Sequence, residues 1–222
     1  MTEMTRKQEF LAVALDLFAE NGYEATTVNE IIDRLQASKG GFYHYFKSKE
    51  EVLEAVAMQQ IEAEIAVTQR TAADDRMPAA EKINRVLSEV LVSKARSLET
   101  RQKISRVFEH KGNAKLLRKI AEYKMQALHG PYLAIIEQGI REGVFATAYP
   151  EEAAEQAIQL MIILSSAVTR LASGAAGRIR ADRDGLARRK IAAYLAAIER
   201  IWGARPGTIN STEVHAEFTD SL

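Results

Sequence analysis

The chain has 222 residues, of which 47% are hydrophobic and 27% charged, and its 30 Lys plus Arg balance 30 Asp plus Glu. This is the composition of a globular chain with material for a sizeable core, and zero net charge leaves any nucleic-acid contact to be argued from local placement. With no Cys, disulfides, thiolate nucleophiles and Cys-ligated metals are excluded.

From the N-terminus, charge recurs in every turn of the first segment, unlike a signal peptide. Phe10, Leu11, Ala14, Leu17 and Phe18 recur at helical spacing and predict a helix with one apolar face. Asn21-Gly22 then reads as a left-handed stop. Thr27-Val28-Asn29-Glu30 has the spacing of a capping box, with Thr27 as N-cap and Glu30 reaching back. A short helix with Val28, Ile31, Ile32 and Leu35 apolar follows. Gln36-Ala37-Ser38 is a tight break, and a second short helix starts near Lys39 with Phe42, Tyr43, Tyr45 and Phe46. Ser48-Lys49-Glu50-Glu51 reads as another capping box, opening a longer helix through Leu53, Ala57, Ile61 and Ile65.

A polar stretch from Thr71 to Met77 ends at Pro78, and further helices are expected over 78–98 and 100–109. His110 to Asn113 then separates these from a long helix to Glu142. Gly130-Pro131 should kink that helix. The most apolar helix is expected over 151–173. Its uncharged run, Gln156 to Thr169, is too short to span a membrane. A glycine-containing loop leads to a last helix, 186–202, and the tail from 204 to 222 is expected to be mostly disordered. The expected fold class is all-α, with about nine helices and an intracellular, cytoplasmic location.

Residues 26–49 carry the function. Two short helices joined by a tight turn, with aromatics and lysines on the second, match helix-turn-helix organisation. In that motif the second helix enters the major groove and the first braces on the backbone. Lys39, Lys47 and Lys49 supply charge for phosphates; Tyr43 and His44 can bond phosphates or base edges. Gly40 and Gly41 each cost roughly 1 kcal/mol of helix propensity relative to Ala. Either something approaches closely there, such as DNA, or the glycines pack near the first helix.

Phe18-Ala19-Glu20-Asn21-Gly22-Tyr23, Thr26-Thr27-Val28 and the run Ser38-Lys39-Gly40-Gly41-Phe42-Tyr43-His44-Tyr45-Phe46-Lys47-Ser48-Lys49-Glu50 together resemble the tetracycline-repressor-like (TetR/AcrR) family. The resemblance covers roughly the first 60 residues. It implies an N-terminal three-helix DNA-binding domain (1–50), a connecting helix (51–70) and a larger helical domain, up to residue 203, that dimerises and binds an inducer. It puts Thr27 and Val28 on the DNA backbone and Lys39, Gly40, Gly41 and Phe42 on the groove-facing part of the recognition helix. Tyr43 and His44 fall on phosphate or base contacts, Lys49 on a phosphate contact, and Tyr45 and Phe46 in the core. One departure is Gln36, where the family usually has glycine, so Gln36 must take a positive φ or the turn must differ. Another is a slightly acidic first 50 residues, with 6 Lys and Arg against 8 Asp and Glu. Those acids are expected chiefly on the first helix, away from the groove.

In the C-terminal half, helices 151–173 and 186–202 are expected to build a homodimer. Two such helices per subunit can form a four-helix bundle, with Ile191, Leu195, Ile198 and Trp202 as one stripe. The helices between 78 and 142 hold Phe108, His110, Tyr123, Met125, Gln126, His129 and Tyr132. These residues suit an apolar pocket with a few orienting polar groups. Four His without metal spacing give no metal site, and no cofactor is expected. The basic run from Arg178 to Lys190 reads as a solvated loop or a second contact surface. There is no nucleophile elbow, P-loop, dinucleotide fingerprint or pair of catalytic carboxylates, so no enzyme is expected. The expected partners are operator DNA and a small-molecule inducer. The rival reading is a helical ligand-binding or adaptor protein whose DNA-binding head is vestigial.

Overall fold

The computed structural model describes residues 4–96, 114–172 and 180–209. Among them are eight helices and no strand: α1 (Arg6–Asn21), α2 (Val28–Arg34), α3 (Lys39–Tyr45), α4 (Lys49–Ala72), α5 (Ala79–Arg96), α6 (Ala114–Arg141), α7 (Pro150–Ala172) and α8 (Arg180–Trp202). The helix expected over 100–109, with Phe108 and His110, lies outside the described residues. The described residues form two compact units, 4–62 with 114–120, and 63–96 with 121–209. No described helix is long and apolar enough to cross a membrane.

The first unit is built on α1. Phe10, Leu11, Ala14, Leu17 and Phe18 are all buried, as their spacing predicts, and meet Ile31, Ile32, Phe42 and Phe46. Val52, Leu53 and Val56 of α4 join the same core, which is why this unit runs on to Glu62 rather than stopping before α4. Thr5 caps α1 in a reciprocal box with Gln8. Gly22 follows α1 at φ 83°, ψ 154°. That is not the left-handed helical region but an extended one open essentially only to glycine. Thr26 closes the loop, its hydroxyl donating to the carbonyls of Leu17 (3.1 Å) and Gly22 (2.8 Å).

The turn between α2 and α3 resolves the Gln36 question. Gln36 has φ 49°. Its N–H donates to the Asp33 carbonyl (3.0 Å) and the Ala37 N–H to the Ile32 carbonyl (2.9 Å). These are the two bonds of a Schellman stop, with Gln36 where glycine is usual. Two other helices end the same way on glycine. Gly143 (φ 72°) follows α6, with Gly143 bonding Ile140 and Val144 bonding Gly139; Gly203 (φ 64°) follows α8, with Gly203 bonding Arg200 and Ala204 bonding Glu199. A left-handed L-residue costs roughly 1–2 kcal/mol, partly offset by glycine's greater freedom when unfolded. Gln36→Gly is therefore expected to stabilise the protein by about 0.5–1 kcal/mol, read as a raised denaturation midpoint; an unchanged or lower midpoint means the side chain contributes as much as the strain costs.

The second unit packs α7 against α8. Ile191, Leu195, Ile198 and Trp202 are buried as a stripe, but within the protomer rather than between subunits. The Trp202 ring meets Phe145 at 5.0 Å and Tyr132 at 6.3 Å, both edge-on, and its indole N–H donates to the Ala153 carbonyl (3.2 Å). The helix also starts at Arg180, six residues before the expected Leu186, and absorbs Gly185. α6 continues through Pro131 as one helix. The tail is ordered at first: Ile209 is buried, its N–H donates to Glu199 (2.9 Å), and the Asn84 amide donates to the Thr208 carbonyl (3.0 Å). Residues 210–222 lie outside the described residues. Lys82 is buried with its ammonium on the Ala72 carbonyl (2.8 Å) at the end of α4, where a cation suits the helix dipole.

Candidate nucleic-acid interface and ligand cavity

The interface begins with two caps. Thr27 accepts from the Glu30 N–H (3.2 Å) and returns its own N–H to the Glu30 carboxylate (2.7 Å). The Thr27 N–H and the Thr27 hydroxyl (2.9 Å), both donating to the Glu30 carboxylate, lower its pKa from the ordinary carboxylate value. Ser38 caps α3 by accepting from the Gly41 N–H (3.0 Å), a role hidden in what reads as a mere break. With Ser38 as cap, α3 must start at Lys39, which sets which of its residues face outward.

Lys39, Gly40, Tyr43 and His44 are exposed on α3, and Lys47 is exposed just after it. Tyr43 is 56% exposed despite its size. The helix contains no acidic residue. No ion pair among the described residues engages Lys39 or Lys47, whereas Arg6 pairs with Glu9 (2.5 Å) and Arg34 with Glu20 (3.1 Å). Contrary to expectation, the acids are not chiefly on α1: Glu9, Asp16 and Glu20 lie there, but Glu30 and Asp33 lie on α2 and Glu50 on α4.

Three expected contacts change. Phe42 is not groove-facing: it is fully buried, edge-on to Phe10 at 5.5 Å, because α3 needs one large apolar anchor to hold it to α1. Tyr45, expected in the core, is 36% exposed, while Phe46 is buried at 2%. Lys49 is committed internally. Its ammonium donates to the carbonyls of Tyr23 (2.9 Å), Glu24 (3.1 Å) and Thr26 (3.1 Å) and sits 4.5 Å over the Tyr23 ring. An ammonium has three donors, so none remains for a phosphate. Lys49 instead fastens α4 to the loop that presents Thr27. The Tyr23 hydroxyl bonds the Glu50 carboxylate, and burial together with that carboxylate pushes its ionisation far up. Lys49→Ala is expected to cost about 1–3 kcal/mol of stability and to leave the salt dependence of DNA binding unchanged; a slope smaller by about one unit would make Lys49 a phosphate contact.

The two glycines also separate. A methyl group on Gly40 would meet nothing within 4 Å, and one on Gly41 would meet only the Ser38 hydroxyl, at 3.2 Å. Packing against the first helix therefore explains neither. Gly40 keeps space open toward the outside of the molecule. Val28 is half-buried and Thr27 exposed.

In the second unit, α4 to α7 enclose a small cavity, about 10 Å3 to the centre of a water-sized sphere, room for a single water. Glu64 and Thr68 come from α4, Val86, Leu87 and Val90 from α5, Lys124, Leu128 and Tyr132 from α6, and Ile158, Met161 and Ile162 from α7. Lys124 pairs with Glu64 at 2.9 Å, both side chains being about nine-tenths buried. Thr68 donates its hydroxyl to the Glu64 carbonyl (3.1 Å). Tyr132 is 4% exposed, and its hydroxyl has no hydrogen-bond partner among the described residues. Such an orphan costs roughly 1–3 kcal/mol.

Of the expected ligand residues that are described, only Tyr132 lines this cavity. Tyr123 and His129 are half-buried elsewhere on α6 and Gln126 is exposed. The missed residues carried a signal. Lys124, Leu128 and Tyr132 recur every four residues, as do Glu64 and Thr68, so each set shares a helix face. No cluster of three potential metal ligands occurs among the described residues.

Residues 10–56 match the family model described as bacterial regulatory proteins, tetR family. The regulator QacR of Staphylococcus aureus is 47% identical over 49 residues, 22% of this chain and 26% of that protein. The chain thus spans about a quarter of that relative's length. The Bacillus subtilis HTH-type transcriptional regulator YhgD is 26% identical over 163 residues, 72% of this chain and 82% of that one. Among solved structures, a SmeT–triclosan complex superposes with a TM-score of 0.64 at 19% identity, covering 91% of this chain and 93% of that one. Another SmeT structure is titled as the repressor of the Stenotrophomonas maltophilia multidrug efflux pump SmeDEF. The fold of those solved structures extends over most of the chain, and residues 10–56 are similar to the tetR-family regulatory domain.

Proposed function

We propose that this chain is a ligand-responsive, DNA-binding transcriptional regulator, a cytoplasmic homodimer released from its operator by a small-molecule inducer. The observation that carries the reading is the outer face of α3. It is free of acids, capped by Ser38, anchored inward by Phe42, and presents Lys39, Tyr43 and His44 around the open space at Gly40. On this reading Thr27 and Val28 brace the DNA backbone, and the other three side chains reach the groove and its phosphates. The chain acts on DNA and ligand without catalysing a reaction.

Two recognition helices must reach successive major grooves about 34–36 Å apart, which calls for a dimer. Most of the uncharged run on α7 is used by the protomer's own core: Ala157, Ile158, Met161, Leu164 and Val168 are buried. Ile163, 52% exposed, is the large apolar residue that the core leaves outside. Its exposure supports a second subunit on that face, with Gln159 and Ser166, both exposed, on either side. α4 supplies Val52, Leu53 and Val56 to the core of the DNA-binding unit and Glu64 and Thr68 to the cavity. A ligand that displaces the second half of this helix acts on the first through a continuous backbone. Induction needs only a difference in ligand affinity between the two states, about 1–3 kcal/mol in typical systems.

A salt titration on duplex DNA tests the reading. Binding should weaken with a log–log slope of about −0.9 per phosphate neutralised. A flat response leaves the adaptor reading, in which the head has lost its DNA.

A further inference from the structure

The cavity in the second unit joins three features. Its walls are mostly aliphatic, from α5, Leu128 and α7. Its two charged lining residues, Glu64 and Lys124, pair at 2.9 Å with about nine-tenths of each side chain buried. The Tyr132 hydroxyl beside them has no hydrogen-bond partner among the described residues, while the Thr68 hydroxyl is already held by a backbone carbonyl. Burial and the nearby Glu64 carboxylate push the Tyr132 ionisation up, so the phenol stays a protonated donor.

The three features constrain what can enter. A carboxylate would compete with Glu64 for Lys124, and an ammonium would compete with Lys124 for Glu64. Either sets a further charge against a largely buried ion pair, a costly arrangement. An uncharged molecule leaves the pair intact. An oxygen on it satisfies the hydroxyl that the described residues leave without a partner, and its apolar body covers the aliphatic walls. The cavity is closed to about one water, so entry must part helices held to one another by side-chain packing. Parting α4 from its neighbours is one way in which a bound ligand can favour the second state.

We infer that this cavity takes an uncharged, mostly apolar molecule with a hydrogen-bonding oxygen that meets Tyr132. The inference rests on the ligand-responsive reading above and names the ligand's chemical class. Octan-1-ol, octanoate and octylammonium share one alkyl chain and differ in charge, and calorimetry on the full chain at pH 7 ranks them. Octan-1-ol should bind about tenfold or more tightly than either ion. Tyr132→Phe should weaken octan-1-ol roughly fivefold while the melting temperature holds or rises, because the hydroxyl has no partner among the described residues to lose. Glu64→Gln leaves Lys124 as the cavity's charge and should turn the preference to octanoate. If that variant does not fold, Tyr132→Phe carries the test alone. Tighter binding of either ion to the native chain, no binding of any probe, or unchanged octan-1-ol affinity in Tyr132→Phe overturns the inference. DNA affinity is a separate readout: octan-1-ol bound without effect on DNA counts against the regulator reading and leaves the ligand class standing, whereas release of DNA by octanoate does the reverse.

Discussion

Gly40→Glu is expected to leave the fold intact and to abolish high-affinity DNA binding. Position 40 is the second residue of α3, it is exposed, and a side chain there meets nothing in the protein. Replacing glycine in a helix removes up to about 1 kcal/mol of propensity cost, so the melting temperature should hold or rise. The new carboxylate would stand on a face that has no acid and points where phosphates and base edges must come. Losing the equivalent of one base contact costs about 1–3 kcal/mol per head. Two heads on one operator double that, weakening the complex on the order of 100-fold or more. Gly40→Ala is the graded companion, with a small gain in stability and a smaller loss of affinity. A stability curve and a DNA titration on the same preparations separate the two effects. Full affinity in a folded Gly40→Glu protein would mean that the start of α3 does not approach DNA, and the interface would have to be sought elsewhere on the head.

Ile163→Glu is the corresponding test of assembly. In the protomer Ile163 is half-exposed, so a glutamate there costs the monomer little. At a subunit interface the same glutamate is buried without a partner, twice over, costing several kcal/mol. Sedimentation should therefore show monomer at concentrations where the native chain is dimeric, with a nearly unchanged unfolding curve for the protomer. Leu164→Glu provides the contrast. Leu164 is fully buried within the protomer, so its substitution should unfold the second unit whatever the assembly state. A dimer of native affinity carrying Ile163→Glu would remove this face of α7 from the interface. Monomeric Ile163→Glu should also bind DNA more weakly, because one head holds only half of a two-fold site.

The features of this protein that were legible in its sequence are those whose physics is local. The α1 stripe from Phe10 to Phe18 follows from the helical period, which one chain segment carries by itself. The Thr27–Glu30 box needs groups only three residues apart. The positive φ of Gln36 was one of the two outcomes that the resemblance left open, since the family usually has glycine at that position. The missed Thr5–Gln8 and Ser38 caps are of the same kind and were readable by the same rule.

What tertiary structure alone decided was which surface each side chain meets. Phe42, which the resemblance placed on the groove-facing side, proves an anchor once α1 is seen beside it. Lys49 is a phosphate ligand in isolation and a three-carbonyl clamp once residues 23 to 26 fold over it. The stripe from Ile191 to Trp202 is apolar either way, and only the proximity of Ala153, Phe145 and Tyr132 assigns it to the protomer instead of a partner. Glu64 and Lys124 lie 60 residues apart and become a neutral pair only through packing. Periodicity records that a side chain avoids water; it carries no record of which distant segment excludes the water, and at the cavity that segment determines the chemistry.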